Sequence, residues 1–260
     1  MKKLSLLLVL PALALASCGE SFSIEDAWEI YNDIDTRLTN GSVSNPTAFS
    51  MTEYAKVVNE SSDVEADSFA AIDNANCYYH STSDVTMGEE TMFVEQWMYV
   101  EGTTFYVVVN NNGSKQRTEI PAETEDAANL MWNNMMNTDM GDGLGSLASQ
   151  MNLVNITINS ALPSVKQVLT IVEESEVQEI PEGATLDYHI ASAGEQNLSA
   201  RMRMTYQGQS EEIDVTIDNS LVTKYTVKGL SSSNEIQDIL NVSLNVDLVK
   251  PNLNEYTPSM

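Results

Sequence analysis

The chain of 260 residues carries 38 acidic and 12 basic side chains, a formal net charge of −26 at pH 7. This balance argues against a nucleic-acid partner, because binding to a phosphate backbone requires Lys and Arg to displace counterions. It also argues against electrostatic docking on anionic lipids, and it is typical of a protein that must stay soluble outside the cell.

The N-terminus has the pattern of an export signal. Two lysines precede residues 4–16, an almost wholly apolar stretch that matches a signal-peptide core and is too short to cross a bilayer comfortably. It ends in Leu15-Ala16-Ser17-Cys18, which resembles the lipobox of bacterial lipoproteins. The resemblance implies a signal peptide at 1–17, a lipidated Cys18 and a short linker at 18–22. A plain signal peptide with an incidental cysteine is the alternative.

The lipobox resemblance also predicts where the protein resides. Two acyl chains (palmitate or similar) on one residue are enough for stable attachment to a membrane. We therefore expect a lipid anchor in the cell membrane and a protein on its extracytoplasmic face. Gly19, rather than Asp, follows the cysteine, and in this family that permits export to the outer membrane of a host that has one.

The rest of the chain has few residues that could form a disulfide, a metal site or a catalytic site. Cys77 is the only other cysteine, so no internal disulfide can form, and we expect it to be a small buried group in a strand. Cys77 and His80 resemble half a zinc site, but no second pair of ligands follows. Adjacent acids such as Glu89 and Glu90 are expected by chance at this acidity. We therefore predict no metal, no cofactor and no enzymatic activity.

The first half of the mature chain predicts a helix followed by strands. Ser23 is a plausible N-cap for a helix that ends at Gly41. Residues 48–58 and 77–85 are rich in aromatic and β-branched side chains, which indicates strands. Residues 91–120 predict a three-stranded meander, with turns at Gly102 and Gly113.

The middle of the chain predicts further helices. Thr124 can cap a helix over 124–140, and its apolar positions are rich in methionine. Residues 152–158 predict a brief strand, and residues 164–175 predict a third helix that starts after Pro163.

The C-terminal part returns to strands with alternating polarity. Residues 197–206, 212–218, 221–229 and 240–248 each place apolar side chains on one face and polar side chains on the other. Such a pattern is typical of antiparallel strands with one solvated face.

This order of elements predicts an α+β fold in a single domain, residues 23–260. A large, strongly curved antiparallel sheet, a half-barrel, would carry the helices on its concave face. The chain here resembles the LolA/LppX-like lipoprotein fold. The opening helix, the hairpin "MYVEGTTFYVVV" and the ending "IDVTIDNSLVTKYTVKG…LNVSLNVDLVKPNLNEYTP" carry the resemblance.

The family resemblance implies a protein that binds or carries a lipid or acyl chain in a half-barrel cavity. Methionine suits such a lining because it is flexible and polarisable. We predict that the ligand contacts the middle helix and one sheet face, through Met131, Trp132, Met135, Met136, Met202 and Met204. Ordinary helix-on-sheet packing is the competing interpretation of these residues. The alternative function is a tethered interaction module, such as an adhesin or an envelope-complex subunit, without a cavity.

Overall fold

The computed structural model describes residues 22–43, 46–137, 153–178 and 180–259. Within these ranges the helices are α1 (Ile24–Thr39), α2 (Glu125–Asn137) and α3 (Leu153–Val177). The strands are β1 (Ala48–Asn59), β2 (Ser62–Asp73), β3 (Tyr78–Met87), β4 (Glu90–Glu101), β5 (Thr104–Asn111), β6 (Ser114–Pro121), β7 (Thr185–Ala191), β8 (Leu198–Tyr206), β9 (Gln209–Asp218), β10 (Leu221–Leu230), β11 (Glu235–Ser243) and β12 (Thr257–Pro258). A 3-10 turn covers Leu253–Glu255.

All twelve strands belong to one open sheet, in the order β12-β6-β5-β4-β3-β2-β1-β11-β10-β9-β8-β7. Neighbouring strands are antiparallel except β12, which pairs in parallel with β6. The two meanders therefore meet at the centre, where β1 pairs with β11. The prediction of an α+β protein with a large antiparallel sheet is confirmed at this level.

The helices pack on one face of the sheet, which we call the helix-bearing face. α1 and α3 cover β8 to β11, where Leu169, Met202 and Val215 are at most 1% exposed. α2 covers the other meander, where Trp132 packs with Phe49 in a second cluster. Both clusters lie on the same face, because Met51 and its cross-strand partner Val242 contact both of them.

The opposite face is covered over one meander by residues 244–259, which we call the strap. Tyr78, Trp97 and Tyr99 form an aromatic cluster on this face, and Tyr256 of the strap completes it. The backbone carbonyl of Val249 accepts hydrogen bonds from the Tyr78 hydroxyl (2.8 Å) and the Trp97 indole (3.1 Å). The strap thus gives β2 to β6 a second core.

The predicted first helix is confirmed together with its cap. The Ser23 hydroxyl accepts from the Asp26 amide at 3.1 Å, and the Asp26 carboxylate accepts from the Ser23 amide at 2.8 Å. This capping box satisfies two of the amides that a helix N-terminus leaves without partners. The hydrogen bond from the Ser23 amide also lowers the pKa of Asp26.

The prediction of a strand at 152–158 is wrong, because α3 begins at Leu153 and runs through Pro163. Short apolar runs do not distinguish a strand from a helix. A proline inside a helix costs about 3 kcal/mol relative to alanine. Burial of one side of α3 offsets that cost, since Leu162, Val168 and Leu169 are at most 3% exposed.

Three other local predictions need correction. The strand predicted at 240–248 lies earlier, at Glu235–Ser243, and Leu244 and Leu248 are about half exposed in the strap. Cys77 precedes β3 in a turn, with φ of 47°. Strand β2 was not predicted at all, because its alanines and acids leave too few large apolar residues for a clear alternating pattern.

Candidate functional site

An apolar groove lies on the helix-bearing face, at the ends of β8 to β11. It has a volume of about 440 Å³. Its apolar lining comes from Met204, Tyr206, Val227, Leu230 and Ile236. The groove begins where the helix coverage of the sheet ends.

Helix α3 borders this groove. The Gln167 side chain donates a hydrogen bond to Glu211, a groove residue, at 2.9 Å. Deeper under the same helix, Tyr225 hydrogen-bonds Ser164. Burial raises the pKa of Tyr225, and the nearby charge of Asp238 raises it further. Asp238 is the cross-strand partner of Val227, a groove residue, but does not itself line the groove.

An exposed row of apolar side chains continues from the groove across the sheet, and we call it the apolar band. It consists of Ile236, Val57, Val64, Met87 and Met92 on β11, β1, β2, β3 and β4. Val57 lies directly opposite both Ile236 and Val64, and Val64 lies opposite Met87. Val57 is eight residues after buried Phe49 on the same strand, so alternation places the band on the helix-bearing face.

The apolar band lies near the hairpin ends of its strands, and most of its side chains are exposed. Val57, Met87, Met92 and Ile236 are 38%, 45%, 44% and 46% exposed. Isolated exposed apolar side chains are common on soluble proteins, whereas contiguous patches mark sites of interaction. The groove and the band together form the candidate site.

Two acidic side chains interrupt the apolar rows of this face. Glu53 lies in the row that contains Met51 and Val57, and Asp238 lies between Ile236 and Leu240. Burial raises the pKa of both carboxyls, and the charge of Asp238 contributes to the shift at Glu53. Within the described ranges, neither carboxylate has a hydrogen bond or an ion pair to a basic side chain.

The predicted ligand-binding residues fall into two groups. Trp132 and Met136 are 1% and 4% exposed in the α2 cluster, and Met131 and Met135 pack against its edge. Met202 is fully buried under α3, whereas Met204 is half-buried and lines the groove. Of the six predicted residues, the structure thus brings Met204 into the candidate site. The ligand-binding role of all six stays a prediction.

Sequence reasoning missed most of the candidate site. Ile236 and Asp238 were overlooked because the last strand was placed too late in the chain. A usable signal was present: an acid inside an otherwise apolar alternation, as in Met51-x-Glu53-x-Ala55-x-Val57. Such an acid is costly in a buried row unless a partner or a ligand satisfies it.

Cys77 and His80 do not form a site together. The Cys77 thiol contacts the Asn129 side chain at 3.5 Å. The His80 ring stacks on Trp97, with centroids 4.6 Å apart, and its Nε2 lies 3.2 Å from Glu95. Burial lowers the pKa of His80, more than the Glu95 contact raises it. In the described residues, no group of three or more His, Cys, Asp or Glu is placed to hold a metal ion.

Cys18 lies outside the described residues, so its lipidation stays a prediction. Among the helices that the structure describes, none has the length and apolar character needed to cross a membrane. A scan against protein-family models gave no match, and a search of curated proteins found none with a similar sequence.

Proposed function

We propose that the protein is an exported, lipid-anchored lipoprotein that binds or carries a hydrophobic ligand, a lipid or an acyl chain. The observation that carries this proposal is the apolar groove of about 440 Å³, which continues into an exposed apolar band. Its volume is within the range of small-molecule sites. The groove is open at the surface, so an extended chain can enter without local unfolding.

The proposal includes a half-barrel of the LolA/LppX-like kind, with the helix-bearing face concave. Three features support it. The sheet is open, it has twelve strands, and all the described helices lie on one face. Open sheets of this width twist and curl. Curvature toward the helices would deepen the groove between α3 and the apolar band.

The lipid anchor is proposed from the lipobox resemblance at Cys18. Phe22, four residues later, lies beside α1 and contributes to a depression with Tyr188 and His189 of the edge strand β7. Four residues of extended chain span at most about 14 Å. A lipidated Cys18 would therefore hold the β7 edge of the sheet near the membrane.

The anchor is tested by Cys18→Ser. We expect the variant to leave the membrane fraction, and we expect mass spectrometry of the wild-type N-terminal peptide to show a diacylated cysteine. Ser17→Ala is the matched control and should remain on the membrane. A Cys18→Ser protein that sediments with membranes as the wild type does would contradict the anchor.

Ligand binding is tested by uptake of a fluorescent fatty-acyl probe into the full chain carrying Cys18→Ser. Adding Met204→Gln and Ile236→Gln should weaken binding about tenfold, because two partly buried apolar side chains contribute about this much. Leu130→Gln, on the exposed side of α2, is the control and should bind normally. Absence of probe uptake, with only the bare chain in native mass spectra, would contradict the proposal.

A tethered interaction module is the second candidate function. The observation that favours it is the outer part of the band, where Met87 and Met92 lie on open strand surface beyond the groove. Protein partners commonly cover such flat apolar surfaces. If Met87→Gln and Met92→Gln leave probe uptake unchanged but abolish a native envelope complex, this candidate is preferred.

A further inference from the structure

The two edges of the sheet differ in how they are protected. At one edge, β12 pairs in parallel with β6 at Gln116 and Arg117, and β6 itself carries Lys115 and Pro121. Lysine, proline and added cover are means by which edge strands avoid pairing with other chains. At the other edge, β7 has no Lys, Arg or Pro, and among the described residues no strand pairs with its outer side. The outer backbone groups of β7 can therefore accept another strand.

A depression of about 410 Å³ lies beside β7, lined in part by Tyr188, His189 and Ile190 and by residues 22–25 at the start of α1. Neighbouring residues of a strand point to opposite faces, so a depression that takes in three of them in a row follows the edge rather than one face. Tyr188 is 43% exposed and Phe22 is 38% exposed. An added strand would pass through this depression and cover both side chains.

The sequence of β7 is complementary to itself in antiparallel pairing. When two copies pair about Tyr188, all seven residues of each strand gain a partner. Tyr188 then faces Tyr188, and the other opposite pairs are Leu186 with Ile190, Asp187 with His189, and Thr185 with Ala191. Aromatic, apolar and acid–base pairs directly opposite each other stabilise a sheet. Within the described residues, Asp187 and His189 have no hydrogen bond or ion pair that this pairing would have to break.

Other registers fit less well. Moving the two-fold axis by one residue leaves two residues of each strand without a partner, and it places Asp187 opposite Asp187 or His189 opposite His189. Like charges directly opposite each other destabilise a sheet. In the register centred on Tyr188, by contrast, Asp187 lies between Arg203, its partner on β8, and His189 of the other copy.

We propose that β7 is the interface of a two-fold symmetric homodimer, in which it pairs antiparallel with β7 of a second copy of this chain. Leu186 and Ile190 pack against the cluster under α1 and α3. Residues that face each other across the interface share one face of the sheet, so the helices of both copies lie on the same side. The two sheets then form one continuous sheet. The inference goes beyond the proposed function and does not depend on a ligand in the groove.

The proposed lipid anchor would strengthen this pairing. A two-fold axis normal to the sheet places Phe22 of both copies on the same side, and the chain from Phe22 to Cys18 spans at most about 14 Å. Both anchors can therefore enter one membrane. A pair of seven-residue strands buries much less area than a standard stable interface. We therefore expect weak association in solution and stronger association where a membrane concentrates the chains.

Thiol cross-linking tests the register. The full chain carries Cys18→Ser and Cys77→Ser, so that introduced cysteines are its only thiols. A variant with both Thr185→Cys and Ala191→Cys should form covalent dimers with a short bis-maleimide, because position 185 of one copy faces position 191 of the other. Each single variant should cross-link far less, because its two thiols in the dimer lie about 20 Å apart along the strands.

Two further arms complete this experiment. Ser114→Cys with Glu119→Cys places two exposed thiols on the β6 edge and should give only the background of random collisions. The Thr185→Cys and Ala191→Cys variant with Cys18 intact, measured on membranes, should cross-link more completely than in solution. Circular dichroism establishes that each variant is folded.

A charge exchange tests the pair of Asp187 and His189. Sedimentation equilibrium of the Cys18→Ser chain at high concentration should show reversible dimers. His189→Asp places acids opposite each other and should weaken association at least about fivefold. Adding Asp187→His restores an acid–base pair and should recover most of the affinity. Gln116→Glu adds the same charge at the β6 edge and should leave association unchanged.

Each remaining outcome has a defined meaning. Cross-linking of the double variant that is no greater than that of the single variants, in solution and on membranes, overturns the inference. Equal cross-linking at both edges also overturns it, as does a loss in His189→Asp that Asp187→His does not restore. Uptake of the fluorescent acyl probe is measured on the same variants and should not change. Absence of dimers with normal uptake leaves the proposed function standing, and dimers without uptake contradict only the proposed function.

Discussion

The β7–β11 part of the sheet and the β1–β6 part differ in what covers the face opposite the helices. Over β8 to β10 that face is polar and carries the ion pairs Lys224–Asp214 and Arg203–Glu212. Over β3 to β5 it carries an aromatic cluster that the strap buries. One part is therefore a two-layer structure of helix and sheet, and the other has a third layer made of irregular chain.

The candidate site lies where the helix coverage of the sheet ends. Strands with one solvated face must bury the apolar side chains of their other face under helices. Helices α1 and α3 provide this cover as far as the groove. The β1–β6 part has a second core under the strap, which lies toward the ends of β2 to β4 that are remote from the apolar band. The predictions below test this division, beginning with the largest expected effect.

Removal of the largest side chain from the α2 cluster should be the most destabilising change. We expect Trp132→Ala to lower the free energy of unfolding by about 3–5 kcal/mol, as large-to-small changes in cores do. Denaturant titration followed by circular dichroism measures this value. Leu130→Ala, at a 58% exposed position of the same helix, should change stability by less than about 0.5 kcal/mol. Similar effects of the two variants would contradict the packing of α2.

The strap should contribute somewhat less. Tyr256 is 7% exposed and packs edge-on against Trp97, with ring centroids 6.1 Å apart. We expect Tyr256→Ala to cost about 2–3 kcal/mol and to increase binding of a hydrophobic dye, because the aromatic cluster becomes exposed. Tyr188→Ala, at a 43% exposed position of the β7 edge, is the control. A strap that contributes nothing would leave both readouts unchanged.

A smaller effect is expected from the hydrogen bonds that hold the strap. The Tyr78 hydroxyl donates to the Val249 carbonyl at 2.8 Å and accepts from the Val249 amide at 3.1 Å. Tyr78→Phe should therefore cost about 1–2 kcal/mol, the usual effect of leaving such partners unpaired. Hydrogen exchange of the Val249 amide should accelerate in this variant. An unchanged exchange rate would show that the strap does not depend on this contact.

The smallest effect is expected at Glu53 and Asp238, where removing the two charges should stabilise the folded protein. Burial raises the pKa of both carboxyls. Between the ordinary values near 4 and the raised ones, the folded chain binds more protons than the unfolded chain. Stability therefore falls as pH rises through this window.

We expect Glu53→Gln with Asp238→Asn to raise the free energy of unfolding at pH 7 by about 0.5 kcal/mol per site, after allowance for solvent screening. The gain should disappear near pH 3, where the carboxyls are protonated in both states. Thermal unfolding at a series of pH values measures it, with Asp67→Asn and Asp84→Asn as the control. A gain that is independent of pH would contradict a charge-based cause.

The two parts of the sheet also differ in how well the sequence predicted them. β8 to β10 alternate cleanly because one face is wet, so their positions and faces could be predicted. β2 alternates small and acidic residues and was missed, although Phe69 and Ala71 are covered by the strap cluster. The strap itself has no periodic pattern, and its role depends on long-range contacts such as Trp97 with Val249 that local sequence does not encode.

The candidate site was less predictable for a related reason. Methionines at helical spacing on α2 are compatible with either a pocket or a core, and the structure places Trp132 and Met136 in a packed cluster. The groove instead forms where α3 ends its coverage of β8 to β11, which depends on how the helix is positioned across the sheet. Only Met204 of the predicted residues lies there.

Photo-crosslinking with a diazirine-bearing twelve-carbon acyl probe tests the central claim most directly, because peptide mapping locates the bound chain. The account predicts adducts on peptides containing Met204, Leu230 or Ile236, and their loss when unlabelled competitor is added. Absence of competed labelling, or adducts confined to the aromatic cluster under the strap, would contradict it.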